Sequence, residues 1–143
     1  MSGEENPDWE NYGLDQMEVE KWVRTRFGDE VMDDLAERVT RVGEEGIELM
    51  QAGKVPEEVV HALVKRVYSR KPGDMKQEAA GVIVTLIALC ALKSWRLDRL
   101  AQDEIKRIHQ LQPEHFHAKQ TEKAKAGVAK APAPPKDEPT IIE

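Results

Sequence analysis

Ala79–Leu92 is the longest apolar stretch of the chain, bounded by Glu78 and Lys93. At about 1.5 Å per residue it spans roughly 21 Å as a helix, short of the roughly 20 residues that cross a bilayer. It therefore predicts a buried core helix rather than a membrane span. A helix apolar over more than half its circumference has to be covered by other helices, so it is expected to be the central element. Apolar residues make up 40% of the chain but aromatic ones only 5%, which leaves packing to aliphatic helix faces and argues against a β-sandwich.

The flanking sequence supplies those helices. Met17, Val19, Trp22, Val23 and Phe27 form one face, opened by an Asp15/Glu18 capping box and closed by Gly28. Val31, Leu35, Val39, Val42 and Leu49 recur at three- and four-residue steps and predict a second helix from Glu30 to Ala52, stopped by Gly53. Pro56 introduces a third, running to Arg70 with Val59, Val60, Leu63, Val64 and Val67 inward, before Pro72-Gly73 turns the chain. The apolar helix then runs from Asp74 to Lys93. A fifth helix follows from Asp98 to Leu111 and a short helical piece after Pro113. The chain thus reads as all-α, with a flexible acidic segment at 1–14, a helical domain at 15–126 and a disordered Pro/Ala-rich tail at 127–143.

A net charge of −6 disfavours a general nucleic-acid surface, because phosphate backbones are held by dense Lys/Arg faces. Met1–Glu20 holds seven acidic residues and no Lys or Arg, the opposite of a secretory start. The single cysteine, Cys90, sits in the apolar run, so no intrachain disulfide forms and a reducing cytoplasm is expected. His61, His109, His115 and His117 show no zinc spacing with it, and read as surface or loop histidines. Trp22 and Trp95 read as packing residues rather than base-stacking ones.

The carboxylates of Glu44-Glu45-Gly46-Ile47-Glu48 carry the chemistry. On a wheel at roughly 100° per residue, with Val42 as zero, Glu45 lies about 60° from the apolar stripe, Glu48 about 120° and Glu44 about 160°. Glu78 falls about 40° from Val82, between Met75 and Val82 on the most apolar helix. A carboxylate set among apolar residues has to be neutral, ion-paired or metal-bound. Mg²⁺ takes oxygen ligands of this kind; Arg41, four residues before Glu45, and Arg38, seven before it, are the alternative partners. Spacing alone leaves both open.

At these residues the sequence resembles the all-α nucleoside triphosphate pyrophosphohydrolases, the MazG-like group, which carry EExxE on one helix and ExxD on a later one. Glu44-Glu45-Gly-Ile-Glu48 matches the first half, and the resemblance extends from Trp22 to Lys123. In place of ExxD stands Glu78-Ala79-Ala80-Gly81; QEAAGVIVTLIALC is similar to a phage-related branch in which Gly takes that place. Asp74, one turn upstream, reads as an N-cap rather than a substitute ligand. The resemblance implies an oligomeric bundle, dimer or tetramer, that cleaves a (deoxy)nucleoside triphosphate to monophosphate and pyrophosphate with Mg²⁺ or Mn²⁺. Glu45, Glu48 and Glu78 would hold the metal, Glu44 would act as the catalytic carboxylate or a further ligand, and Arg41, Lys119 and Lys123 would meet the phosphates. The alternative is a catalytically weak nucleotide-binding, regulatory or interaction protein of the same fold.

Overall fold

The computed structural model describes residues 16–134, and within them the chain is all-α: seven helices and no strand. They are α1 (Gln16–Phe27), α2 (Asp29–Asp33), α3 (Leu35–Ala52), α4 (Glu57–Tyr68), α5 (Met75–Lys93), α6 (Leu97–Gln110) and α7 (Pro113–Lys125). The Asp15 cap and the segment 1–14 lie outside the described residues, as do residues 135–143.

The helix expected from Glu30 to Ala52 is broken at Asp34. That residue leaves the helical region at φ −82°, ψ 109°, and its Oδ1 accepts the Glu37 amide at 2.9 Å, capping α3. Side-chain capping thus competes with the apolar repeat and ends α2 after five residues. Asp74 acts likewise on α5, accepting the Gln77 amide at 3.0 Å. Asp98, in contrast, lies one residue inside α6, where it holds the Arg96 guanidinium at 2.6 Å.

Two helices end on left-handed residues other than glycine. Lys54 (φ 62°) follows α3 while its neighbours bond back from Lys54 N to Gln51 O and from Val55 N to Met50 O. Ser94 (φ 57°) repeats the pattern after α5, with Trp95 N bonding to Cys90 O at 2.9 Å. Both are Schellman ends, and a Cβ in this conformation costs about 1 kcal/mol. Lys54→Gly and Ser94→Gly should each raise stability by about that much, read at fixed protein concentration as a higher urea midpoint with an unchanged slope. A lower midpoint would contradict the assignment.

The chain divides into two compact units, residues 16–41 with 104–134, and Val42–Asp103. In the first, Val23 and Val31 are buried. Trp22 there packs edge-to-face on Phe27 (5.6 Å) and Phe116 (4.9 Å), as expected of a packing aromatic. Arg24 binds Glu20, Asp29 and Asp33 at 2.7–3.1 Å, tying α1 to α2. These hydrogen bonds, led by that to Asp33, raise the guanidinium above its ordinary pKa, and the same bond holds Asp33 below the usual carboxylate range.

This first unit also corrects the expected start of disorder at Gly127. Residues 127–134 are bonded across α1, α3 and α7: Lys130 N to Glu37 Oε2 (2.9 Å), Ala133 N to Phe27 O (2.8 Å) and Arg41 to Val128 O. A segment with no apolar face is held here by its backbone groups instead.

In the second unit Cys90 is the only buried side chain among the described residues. The helix α5, expected at the centre of a bundle, has only this one side chain buried. Val82, Ile83, Val84 and Ile87 are each about half exposed or more, and α3 and α4 also present Val42, Ile47, Leu63, Val64 and Val67. By length and composition alone α5 would also suffice to cross a membrane.

Candidate functional site

The turn Pro72-Gly73 leads into Asp74, whose cap starts α5 and places Glu78 at the end of its first turn, its amide bonded to Asp74 O at 2.9 Å. The Glu78 side chain folds back toward the turn. Its carboxylate occupies the space that a Cβ at residue 73 would need, so Gly73 is what lets it lie there. A carboxylate near the first turn of a helix is also favoured by the unpaired N–H groups of that end.

Glu44, Glu45 and Glu48 lie in the middle of α3. Glu44 is half-buried, whereas Glu45, Glu48 and Glu78 are exposed. Sequence geometry put Glu45 and Glu78 against apolar faces at a desolvation cost. That cost is absent in the single chain because the apolar faces themselves are open to water. Among the described residues no three His, Cys, Asp or Glu side chains converge as metal ligands. The donor chemistry of Glu45, Glu48 and Glu78 suits a hard divalent cation, yet one chain does not gather them into a coordination shell.

Gly81, which replaces the ExxD aspartate, has open space around it: a Cβ there meets nothing within 4 Å. Gly43 and Gly46, flanking the α3 carboxylates, are equally open. Mid-helix glycines cost about 1 kcal/mol each relative to alanine, and nothing in the single chain takes up the room they leave. Thr85, in the middle of the α5 apolar run, donates its hydroxyl to Gly81 O (3.0 Å) and Val82 O (2.9 Å), so its polar group is already satisfied should that face be covered.

The basic candidates lie in the first unit. The Arg41 Nε stands 3.3 Å from Glu37 Oε1, and its guanidinium also donates to Val128 O, so this side chain is directed to the C-terminal segment. Lys119 is exposed on α7 and Lys123 half-buried. Glu37, which sequence reading passed over, is the most enclosed charge among the described residues at 5% exposure. Its Oε1 accepts Gln120 Nε2 at 2.9 Å and lies 3.6 Å from Arg38. Burial pulls the Arg38 guanidinium below its ordinary pKa, opposed by the Glu37 charge. The pattern Asp34-Leu-Ala-Glu37, with Arg41 four residues on, was the available signal for both the cap and the ion pair.

No family model, curated protein or solved structure matches the chain.

Proposed function

We propose that this protein is a divalent-metal-dependent nucleotide pyrophosphohydrolase of the MazG-like type, with its site assembled between copies of the chain. The observation that carries the reading is the coincidence, on α3 and α5 of the second unit, of the Glu44/Glu45/Glu48 and Glu78 carboxylates with an uncovered aliphatic surface. Soluble monomers rarely leave so large an apolar surface in water. Covering it with α3–α5 of another copy would lower the dielectric around the carboxylates and raise the cost of any charge left uncompensated there.

In this reading Glu45, Glu48 and Glu78 would hold Mg²⁺ or Mn²⁺, which would supply positive charge to neutralise the phosphates and draw charge from the attacked phosphorus. Glu44 orients the attacking water and accepts its proton, so that the bond to pyrophosphate breaks as the new P–O bond forms. A cytoplasmic setting, where nucleoside triphosphates and Mg²⁺ are available, belongs to the same proposal.

The deciding experiment is a panel of nucleoside and deoxynucleoside triphosphates incubated with protein and Mg²⁺, resolving monophosphate plus pyrophosphate from diphosphate plus phosphate. In parallel, Mg²⁺ or Mn²⁺ at about 100 times its dissociation constant should stabilise the fold by about 2.7 kcal/mol, a rise of several degrees in unfolding temperature. Glu78→Gln should remove both the rise and pyrophosphate release while leaving the metal-free protein folded, since Glu78 is exposed in the chain. A thermal rise that survives Glu78→Gln would take Glu78 out of the site.

The open space at Gly81 favours one second reading, a nucleotide-binding protein with little chemistry of its own. It predicts nucleotide-dependent stabilisation without pyrophosphate. The space also permits a direct comparison, because a Cβ at residue 81 meets nothing in the single chain and Gly81→Asp adds the missing carboxylate there. A site short of one ligand should gain metal affinity from it.

A further inference from the structure

Residues 128–133 are held in a way that the packing of a chain terminus does not require. Lys130 has both backbone groups bonded by side chains from two helices, α3 and α7: its N–H donates to Glu37 Oε2 at 2.9 Å, and its carbonyl accepts Gln120 Nε2 at 2.7 Å. The same Gln120 amide nitrogen donates to Glu37 Oε1 at 2.9 Å, which locks the two readers together. Both are 95% buried. Three residues later Ala133 is bonded on both sides again, its N–H to Phe27 O at 2.8 Å and its carbonyl to His117 Nε2 at 3.2 Å.

Lys130 and Ala133 stand three residues apart, the repeat that places two groups on one side of a polyproline helix. Proline occurs at 132 and 134, where no N–H is used, and not at 130 or 133, where one is. Side-chain selection is added at two points. Lys130 Nζ meets Asp34 Oδ2 at 3.1 Å. Gly28, at φ 98°, approaches Ala133 so closely that a Cβ on it would stand 2.7 Å from the alanine Cβ. The contacts have the form that main-chain recognition of an extended peptide takes, with a carboxylate to meet a cation and a glycine that leaves room for a small residue.

We infer that the seat formed by Phe27, Gly28, Asp34, Glu37, His117 and Gln120 is a peptide-recognition site for an extended Lys-Ala-Pro-Ala segment. In the free protein it is filled by the chain's own residues 130–133, and it takes the same segment supplied from outside. The strap is held by hydrogen bonds at half-exposed or exposed residues rather than by apolar burial, the condition for local opening without global unfolding. Its short connection to α7 gives it an effective concentration in the millimolar range, which keeps competitors out until the strap is weakened.

The test uses the full-length chain and a labelled peptide of residues 126–135, Ala-Gly-Val-Ala-Lys-Ala-Pro-Ala-Pro-Pro, followed by fluorescence anisotropy. Lys130→Pro removes the strap's central N–H and leaves the seat intact, so this variant should bind the peptide at least tenfold more tightly than wild type. A peptide N-methylated at the Lys130 nitrogen should lose that binding, as should Gln120→Ala placed in the Lys130→Pro background. Equal affinity of variant and wild type, or equal binding of the methylated peptide, would overturn the inference. Hydrogen exchange on the wild-type chain tests it independently of any variant. The Lys130 and Ala133 amides should be protected and should open together, at least tenfold more readily than the Arg38 amide of α3. Absence of protection, or exchange of these amides only together with α3, would overturn it as well.

Discussion

Ile87→Glu should convert the protein from an associating species to a monomer of 16.2 kDa, and should abolish pyrophosphate release with it. Ile87 lies in the middle of α5 and is 48% exposed in the single chain, so a glutamate there costs the isolated fold little. Between copies it would be buried without a partner, at several kcal/mol per copy. Even 2.7 kcal/mol moves a dissociation constant about 100-fold, enough to carry a micromolar assembly beyond any working concentration. Sedimentation velocity across the micromolar range reads the change, and circular dichroism confirms that the helices persist. Wild type that sediments as a monomer throughout, or a variant that still associates, would sink the proposed assembly. Lipid vesicles provide the control for the length of α5: if wild type floats with vesicles and Ile87→Glu does not, the uncovered face serves a membrane instead.

The difference between the expected and observed surroundings of α5 shows what hydrophobic patterning can report. Ala79–Leu92 is apolar nearly all round, and that pattern demands a cover without saying whose chain supplies it. The helix and its N-terminal cap were legible because they are local: Asp74 takes the Gln77 amide, and Pro72-Gly73 turns the chain before it. The break at Asp34 escaped because Val31, Leu35 and Val39 keep the helical step across it, while the capping pattern from Asp34 to Glu37 competes at the same place. The left-handed ends at Lys54 and Ser94 escaped for a related reason. Gly53 carries the usual signal for a helix stop, but the positive φ falls one residue later.

The candidate site divides in the same way. EExxE is a local pattern, and α3 carries it as a continuous helix. Whether Glu78 joins those residues is a matter of tertiary and quaternary distance, on which spacing is silent. The strap was misread for the opposite reason. Pro/Ala-rich composition reports the lack of an apolar face, whereas residues 127–134 are held through backbone groups bonded by Gln120, on the preceding helix, and by Glu37, far away in sequence. Arg41 lies at the junction of the two readings: named with Lys119 and Lys123 for the substrate, and weighed as a partner of Glu45, it is directed to Glu37 and Val128.

Glu37→Ala should be the most destabilising single truncation in the first unit, at about 3 kcal/mol. It removes the acceptor of the Lys130 amide and of the Gln120 side chain, and it leaves Arg38, already desolvated, without its nearest anion. Removing a cation instead should cost far less, because the Arg38 side chain is 27% exposed and alanine there leaves Glu37 with three other donors. The order Glu37→Ala well above Arg38→Ala therefore separates a buried reader of the strap from an ordinary helix-surface pair, for which either truncation would cost under about 1 kcal/mol. Gln120→Ala should couple to Glu37→Ala by about 1 kcal/mol or more in a double-mutant cycle, since one amide nitrogen joins Glu37 to Lys130. Urea unfolding at fixed protein concentration gives the energies, and exchange at the Lys130 amide gives the local consequence. If Glu37→Ala unfolds no earlier than Arg38→Ala and Lys130 stays protected, the carboxylate does not hold the strap, and the order of residues 127–134 has to come from the contacts at Phe27, Gly28 and His117.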